Sequence, residues 1–500
     1  MKKFSDLHCH NHTRSFYRLR PRRRKYEKQD RYNPWTVVAD NMRRRQKARM
    51  AGSYGQCDLA KMWNGGVRLV FNSLYPMEKG IFKLDVDNDR RRRRRKGFRN
   101  KLVGVLADEG LPLRDVLHGI MLAMPDRMTD FFQSDAYDYW AFLQEEYAFA
   151  IAAEGEQRRS YVHLPGFLRQ VFENRYRRQR RYRELLDATG AYRIPRHRTE
   201  LEQCLDDDDC IVMVLTIEGG HAFGTDRAGE AEVLRRIHYL KREWAHPLFF
   251  ITIAHHFNNE LCGHAHSFPA IGGQVMNQRK RMDGNFTRLG WRVLRKLLAL
   301  DADNRPDPSQ GYRVLIDVKH LAARSRKQYY EQVVRPCAER GDVIPVIASH
   351  CGYSGMRTLD AHIDAIQQGR EKDDFRIVRD GRHFYAWSIN MCDEDIRIIH
   401  RTRGLFGLSF DQRMLGMHQS RKKHGRVEAL QAIYNNICGV LEVIYQDPDL
   451  SDEEKRRAWD MITIGTDFDG YIDPINGYPT NIELRRMGED RANHLERESK

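Results

Sequence analysis

The sequence predicts an α/β protein built as a (β/α)8 TIM barrel, with a long helical and basic insertion between strands two and three. Two patterns carry that expectation. Eight short apolar runs recur along the chain, and helical spacing fills stretches between them. A third pattern is chemical: ligand-type side chains stand where several of the runs end.

The runs are Phe4–His8, Gly66–Asn72, Ile211–Glu218, Leu248–Ala254, Arg313–Val318, Ile344–Ser349, Gly404–Phe410 and Met461–Thr466. Most are continuous rather than alternating, as in strands covered on both faces of a parallel sheet. Between them, Leu289, Val293 and Leu297 repeat every four residues, joined by Leu294 and Leu298. Val427, Leu430, Ile433, Tyr434, Ile437, Val440, Leu441 and Ile444 form a longer stripe at helical spacing, read as core packing. Residues 85–209 are too many for one barrel helix. They read as an insertion within a single barrel spanning 1–500: a basic loop, then helices through Tyr137–Ala153 and around Phe167–Leu186. A smaller insertion is expected at 360–385.

Composition narrows the class. Hydrophobic residues make up 41% of the 500, enough for a large core, which excludes an intrinsically disordered chain. Nine cysteines without a CxxC pair exclude a disulfide scaffold and a Cys-rich zinc module. No apolar run approaches the ~20 residues of a membrane span. No apolar signal region follows the start, MKKFSDLHCH. A soluble, cytoplasmic protein with no membrane partner is expected. The formal net charge of +16 is concentrated in Arg18–Arg31, Arg90–Lys96 and Arg175–Arg183. Such runs read as solvated loops. They lack the aromatic interleaving of nucleic-acid modules, so nucleic acid is not an expected partner. The charge would steer anionic substrates.

The strand ends hold the chemistry. They read Asp6-Leu7-His8-Cys9-His10, Ile217-Glu218-Gly219-Gly220, Ala254-His255-His256, Asp317-Val318-Lys319-His320, Ala348-Ser349-His350 and Gly465-Thr466-Asp467-Phe468-Asp469-Gly470. In a (β/α)8 barrel the C-terminal strand ends converge on one face, so these positions would share a cavity. Histidines and carboxylates in this number are a ligand set for zinc-like metals. His8 and His10 leave one strand on the same side, because strand side chains alternate. By the same alternation Cys9 faces away, which argues against a catalytic thiol. Glu218 can bridge two cations, one through each oxygen. Asp467 can ligate a cation and accept a proton. Two metals about 3.5–4 Å apart would acidify a water and polarise a carbonyl.

These segments resemble the membrane dipeptidase (renal dipeptidase) family of zinc peptidases, within the wider amidohydrolase-like barrels. The matching pieces are DLHCH at 6–10, DLAKMWNGGVRLVFNSLYP at 58–76, IEGG at 217–220, TIAHHFNN at 252–259, GNFTRLG at 284–290, IDVKHLA at 316–322, PVIASHCG at 345–352, MCDEDIRII at 391–399 and IGTDFDG at 464–470. They are collinear and span nearly the whole chain outside the insertions. The resemblance implies two zinc ions, with other divalent metals as alternatives. One would be held by His8, His10, Glu218 and Asp467, the other by Glu218, His320 and His350. It implies that His255 contacts the substrate and stabilises the tetrahedral intermediate, and that Asp467 is the general base. It also aligns Asn390 with a substrate-binding asparagine.

Two departures stand out. The family has His-x-Asp on strand one, where this chain has His8-Cys9-His10, so the site is one charge more positive. The family precedes the aligned asparagine with an arginine that grips the substrate carboxylate. Here that residue is Ile389, and Arg357 and Arg382 are candidate substitutes. The expectation is a metal-dependent, dipeptidase-like hydrolase acting on a small molecule, a dipeptide by the resemblance. Alternatives are an amidohydrolase-type enzyme acting on a lactone, cyclic amide or phosphoester, and an inactive barrel serving as a binding module. A homo-oligomer stays open.

Overall fold

Eight parallel strands close on one another: β1 (Phe4–Cys9), β2 (Val67–Leu74), β3 (Cys210–Glu218), β4 (Leu248–Thr252), β5 (Leu315–Asp317), β6 (Ile347–Cys351), β7 (Leu405–Leu408) and β8 (Ile462–Ile464). Each pairs with its neighbours in chain order, and Asp6 opposite Ile464 joins the first strand to the last. This is the closed (β/α)8 barrel that the apolar runs predict. The computed structural model describes residues 3–20, 32–38, 55–82, 126–163, 188–268, 276–372, 375–417 and 425–490. The basic runs at Arg22–Lys25, Arg90–Lys96 and Arg175–Arg183, and the helix expected around Phe167–Leu186, lie outside them. Among the described residues no helix is long and apolar enough to cross a membrane.

The strands form where the sequence is continuously apolar. In β3, CIVMVLTIE, every residue except Val214 is buried, with the barrel interior on one side and helices on the other. Helices follow on the outside. In Arg288–Leu297, Thr287 caps the start by accepting from Gly290 N at 2.9 Å, and Val293, Leu294 and Leu297 face the barrel. Helix Arg426–Tyr445 buries Ile433, Val440, Leu441 and Ile444 of the expected stripe, together with smaller residues beside it. Ala429, Ile433, Asn436, Gly439, Val440, Val443 and Ile444 face in, while Val427 is 70% exposed and Tyr434 37%. Small residues set that rotation. A Cβ on Gly439 would meet the Tyr353 ring at 2.5 Å, so the helix packs closely through its least bulky line.

Two segments shape the C-terminal mouth. Helix Tyr139–Ala150, capped by Asp138, packs on the ends of β1 and β2 through an aromatic cluster with Phe16, Tyr17, Tyr75, Phe132 and Tyr137. Its Glu146, fully buried, accepts from Tyr75 N and meets His12 Nε2 at 3.0 Å. After β6 and helix Leu359–Gln367, a hairpin pairs Arg376–Arg379 with Arg382–Tyr385. Asp380 and Gly381, at φ 50° and 73°, make its two-residue turn.

Candidate metal centre

β1, β3, β5, β6 and β8 deliver seven ligand-type or catalytic-type side chains, with His255 from the loop after β4, to one cavity at the mouth. The ends of β1 and β8 are stitched by His10 N to Phe468 O and Asp467 N to His8 O, both at 2.9 Å. Thr466 Oγ1 donates to Asp6 Oδ2 at 2.6 Å in the layer below. Two residues of the set adopt left-handed backbone, His320 at φ 65° and Asp467 at φ 58°. For side chains with a Cβ this is strain held by the surrounding fold, a feature of functional sites. Gly219, at φ 90°, turns the chain sharply after Glu218, and a Cβ there would strike the His221 ring.

Glu218 is the hub. Its Oε1 lies 3.5 Å from His8 Nε2, 3.5 Å from His255 Nε2, and 3.6 Å from both His320 Nε2 and His350 Nε2. Its Oε2 lies 3.1 Å from His10 Nε2. Asp467 Oδ1 stands 3.8 Å from the Nε2 atoms of both His8 and His10. His320 Nε2 and His350 Nε2 face each other at 3.2 Å. Donors about 2.1 Å from a tetrahedral zinc stand about 3.4 Å from one another. The triangle of Glu218 Oε1, His320 Nε2 and His350 Nε2 has the proportions of such a face. His8 Nε2, His10 Nε2 and Glu218 Oε1 are buried without a hydrogen bond. Orphaned lone pairs converging from several strands fit a cation, because buried polar atoms are otherwise satisfied. His8, His10 and Asp467 form one group of three within ligand reach, and His8, Glu218 and His350 a second. His255, His256 and His320 form a third.

The imidazoles are braced from behind. His10 Nδ1 donates to Ser73 O at 3.0 Å, which fixes the tautomer and turns Nε2 inward. His350 Nδ1 meets Ser349 Oγ at 2.8 Å, and that hydroxyl donates to Asp317 Oδ2 at 2.6 Å. Asp317 also accepts from Thr252 Oγ1. Behind His255 stands Glu78, 2% exposed, which meets His255 Nδ1 and accepts from Phe257 N at 3.1 Å.

The electrostatics separate the two carboxylates. Burial pushes Glu218 up, but the imidazoles of His255, His8, His10 and His320 around it hold it well below the usual carboxylate range. Burial and then the Glu218 charge drive Asp467 well above that range. Burial holds His320 down at about 3 and His350 well below its ordinary value, so both keep free lone pairs at neutral pH. For His255 burial works downward, yet Glu218 and Glu78 raise it above its ordinary value, toward a cation. The cysteines are inert. Burial pushes Cys9 to about 11 and Cys351 to about 12, so neither offers a thiolate.

His8, His10, Glu218, His255, His320, His350 and Asp467 are thus brought together. Asn390 is engaged within the fold. Its Oδ1 accepts from Gly352 N at 2.9 Å, and its Nδ2 donates to Tyr385 O and Met414 O at 3.0 and 2.9 Å. With both donors engaged, it pins three loops together and has none left for a ligand. Ile389 is buried among Ala265, Tyr385, Trp387 and Met414. Neither candidate arginine replaces the missing guanidinium. Arg382 pairs with Glu442 on helix Arg426–Tyr445, and Arg357 is exposed. Sequence reasoning missed Glu78, His256 as a member of the third group, and the Asp317–Ser349 relay. Glu78 had one legible signal: it follows the end of β2 by four residues.

No family model and no curated protein matches the sequence. Among solved structures the chain is similar to a metallopeptidase from Rhodobacter sphaeroides, crystallised with a phosphinate mimic of the dipeptide L-Ala-D-Ala. The identity is 12%, over 98% of this chain and 93% of that one, with a TM-score of 0.46. It is also similar to dipeptidase AC, a metallopeptidase of family M19, at 13% identity over 92% of each chain and TM-score 0.43. The probable dipeptidase PvdM from Pseudomonas aeruginosa shows 12% identity, over 87% of this chain and 84% of that one, at 0.40. At these values the likenesses carry no argument about activity. Fold and site by themselves define a class: a (β/α)8 barrel with a histidine–carboxylate cluster at its C-terminal mouth.

Proposed function

We propose that the chain is a metal-dependent hydrolase, a binuclear zinc, dipeptidase-like enzyme that cleaves a peptide or amide bond in a small substrate. One observation carries the reading: four Nε2 atoms stand 3.5–3.6 Å from a single oxygen of Glu218, and none is hydrogen-bonded to it. The resemblance of the strand-end segments to the dipeptidases supports the choice of reaction. His8, His10, Glu218 and Asp467 would hold one ion, and Glu218, His320 and His350 the other. Divalent ions there supply Lewis acidity, which polarises a carbonyl and lowers the pKa of water.

The chain's own groups do the rest. Asp467, whose side chain is 14% exposed and the most open of the set, accepts the proton of the attacking water. His255, oriented by Glu78 and set beside Glu218, stabilises the charge that develops on the carbonyl oxygen. Asp467 then returns the proton to the departing amine. No covalent intermediate is required, and the buried thiols offer no nucleophile.

The test is elemental analysis after reconstitution with zinc, followed by a panel of dipeptides beside lactones and phosphoesters. Two ions per chain and dipeptide turnover are expected. Two ions with turnover of lactones alone would move the substrate and keep the hydrolase. Near-zero metal would overturn the reading and favour a binding module.

A further inference from the structure

Next to the ligand His320 stands a buried cation that neither the ligand set nor the proposed mechanism uses. Lys319 follows β5, beside His320, and is 2% exposed. Its ammonium has three donors. The contact on its Nζ is the thioether of Met414, at 3.8 Å, and a thioether is a weak acceptor. Among the described residues no carboxylate forms an ion pair with it. Other buried cations have strong oxygen acceptors: Lys61 pairs with Asp58, Arg326 with Asp395, and Lys241 donates to Lys296 O and Leu297 O. A buried, unpaired ammonium costs stability and persists where something else is gained.

Its position says what that is. Met414 belongs to the small apolar cluster that contains Ile389, Trp387 and Tyr385, on the wall where the resemblance placed an arginine. From there the Lys319 charge reaches the ligand-type residues, being felt at Asp467, His320 and His350. The apolar wall strengthens any ion pair formed against it, because the local dielectric is low. One ammonium matches one negative charge. The neighbouring guanidinium, Arg413, is already engaged with both oxygens of Asp411.

We propose that Lys319 forms an anion subsite in this cleft, with Met414 and Ile389 as its apolar wall, which takes a monoanionic carboxylate of the substrate. The subsite rests on the hydrolase reading for its orientation toward the reacting bond, but its binding can be tested without turnover. It places the specificity cation on the strand that also supplies His320, so the carboxylate and the reacting centre are registered by one short stretch of backbone.

The experiment uses the zinc-reconstituted full chain. Calorimetric titration with N-acetylglycine and with N-acetylglycinamide measures the preference for carboxylate over amide, with inorganic phosphate as a third ligand. Kinetics with L-alanyl-L-alanine and its C-terminal amide run beside it. The wild type should bind the carboxylate at least tenfold more tightly than the amide. Lys319→Met, which keeps length and removes charge, should abolish that preference. It should raise KM for the dipeptide at least tenfold with little change in kcat. Lys319→Arg should restore much of the preference, and Lys319→Gln repeats the loss if the Met variant does not fold. An unchanged preference in Lys319→Met overturns the proposal. So does a wild type that binds neither probe, or one that favours phosphate over carboxylate. Absence of turnover with the binding preference intact would sink the hydrolase reading and leave the subsite standing.

Discussion

Two walls of the same cavity are finished in opposite ways. On the imidazole wall the outward nitrogens of His10, His350 and His255 are held by Ser73 O, Ser349 Oγ and Glu78, so the inner lone pairs are aimed before any ligand arrives. On the opposite wall Lys319 faces a thioether within an apolar cluster and has no such backing. At these three rings the first wall is set before anything binds. The second is completed by what binds to it. That difference separates holding a cofactor, which needs preorganised geometry, from choosing a substrate, which needs an interaction that appears on binding.

Breaking the imidazole wall at its hub should have the largest effect. Glu218→Gln removes the charge that faces four imidazoles. Turnover should fall by about 1,000-fold or more, since single electrostatic contributions of this kind are worth 10²–10³. Bound zinc should fall with it in elemental analysis. Wild-type activity in that variant would break the model of a shared carboxylate. Removing a brace rather than the hub should do less. Glu78→Gln should lower kcat by about 10–100-fold, because His255 loses its orienting charge while the other ligand atoms stay in place. Ser349→Ala interrupts the relay from Asp317 to His350. Zinc affinity should weaken by about tenfold in competition with a chelator, with kcat at saturating metal nearly retained. An unchanged affinity would mean that the backbone alone aims His350.

Asn390→Ala probes the border between the walls and should act on stability alone. The variant leaves three backbone groups without their partner and should lose about 2 kcal/mol in denaturant unfolding. KM of the folded fraction should stay within about twofold of wild type. A large KM change would return Asn390 to the substrate.

The eight strands were legible because a strand covered on both faces must be continuously apolar, as β3 is. The strand-end residues were legible because topology alone brings positions as distant as 8 and 467 to one face. What escaped depends on rotation and on loops. Part of the line of helix Arg426–Tyr445 that packs inward was hidden, because large residues mark an apolar stripe in sequence while Ala429 and Gly439 decide how closely it can dock. Glu78 escaped because its role exists only once the loop after β2 meets the loop after β4. Lys319 stood in plain view beside His320, but a lysine in sequence carries no sign of whether a carboxylate will reach it. Asn390 shows the converse: three carbonyl and amide groups from separate loops claim its side chain.

The stitched seam between β1 and β8 has a consequence for the life of the chain. His8 and His10 leave the ribosome well before Asp467. The pairings that bring them together span more than 450 residues, with Asp6 bonded to Thr466 across |i−j| = 460. Contacts of that separation form late, because the entropy of closing so long a loop must be met first. A nascent chain would therefore carry His8 and His10 through the synthesis of all that separates them from Asp467, without the carboxylate that completes their set. If the cluster holds metal as proposed, its capture becomes a checkpoint on whole-chain folding, and a misassembled molecule would announce itself by failing to retain metal.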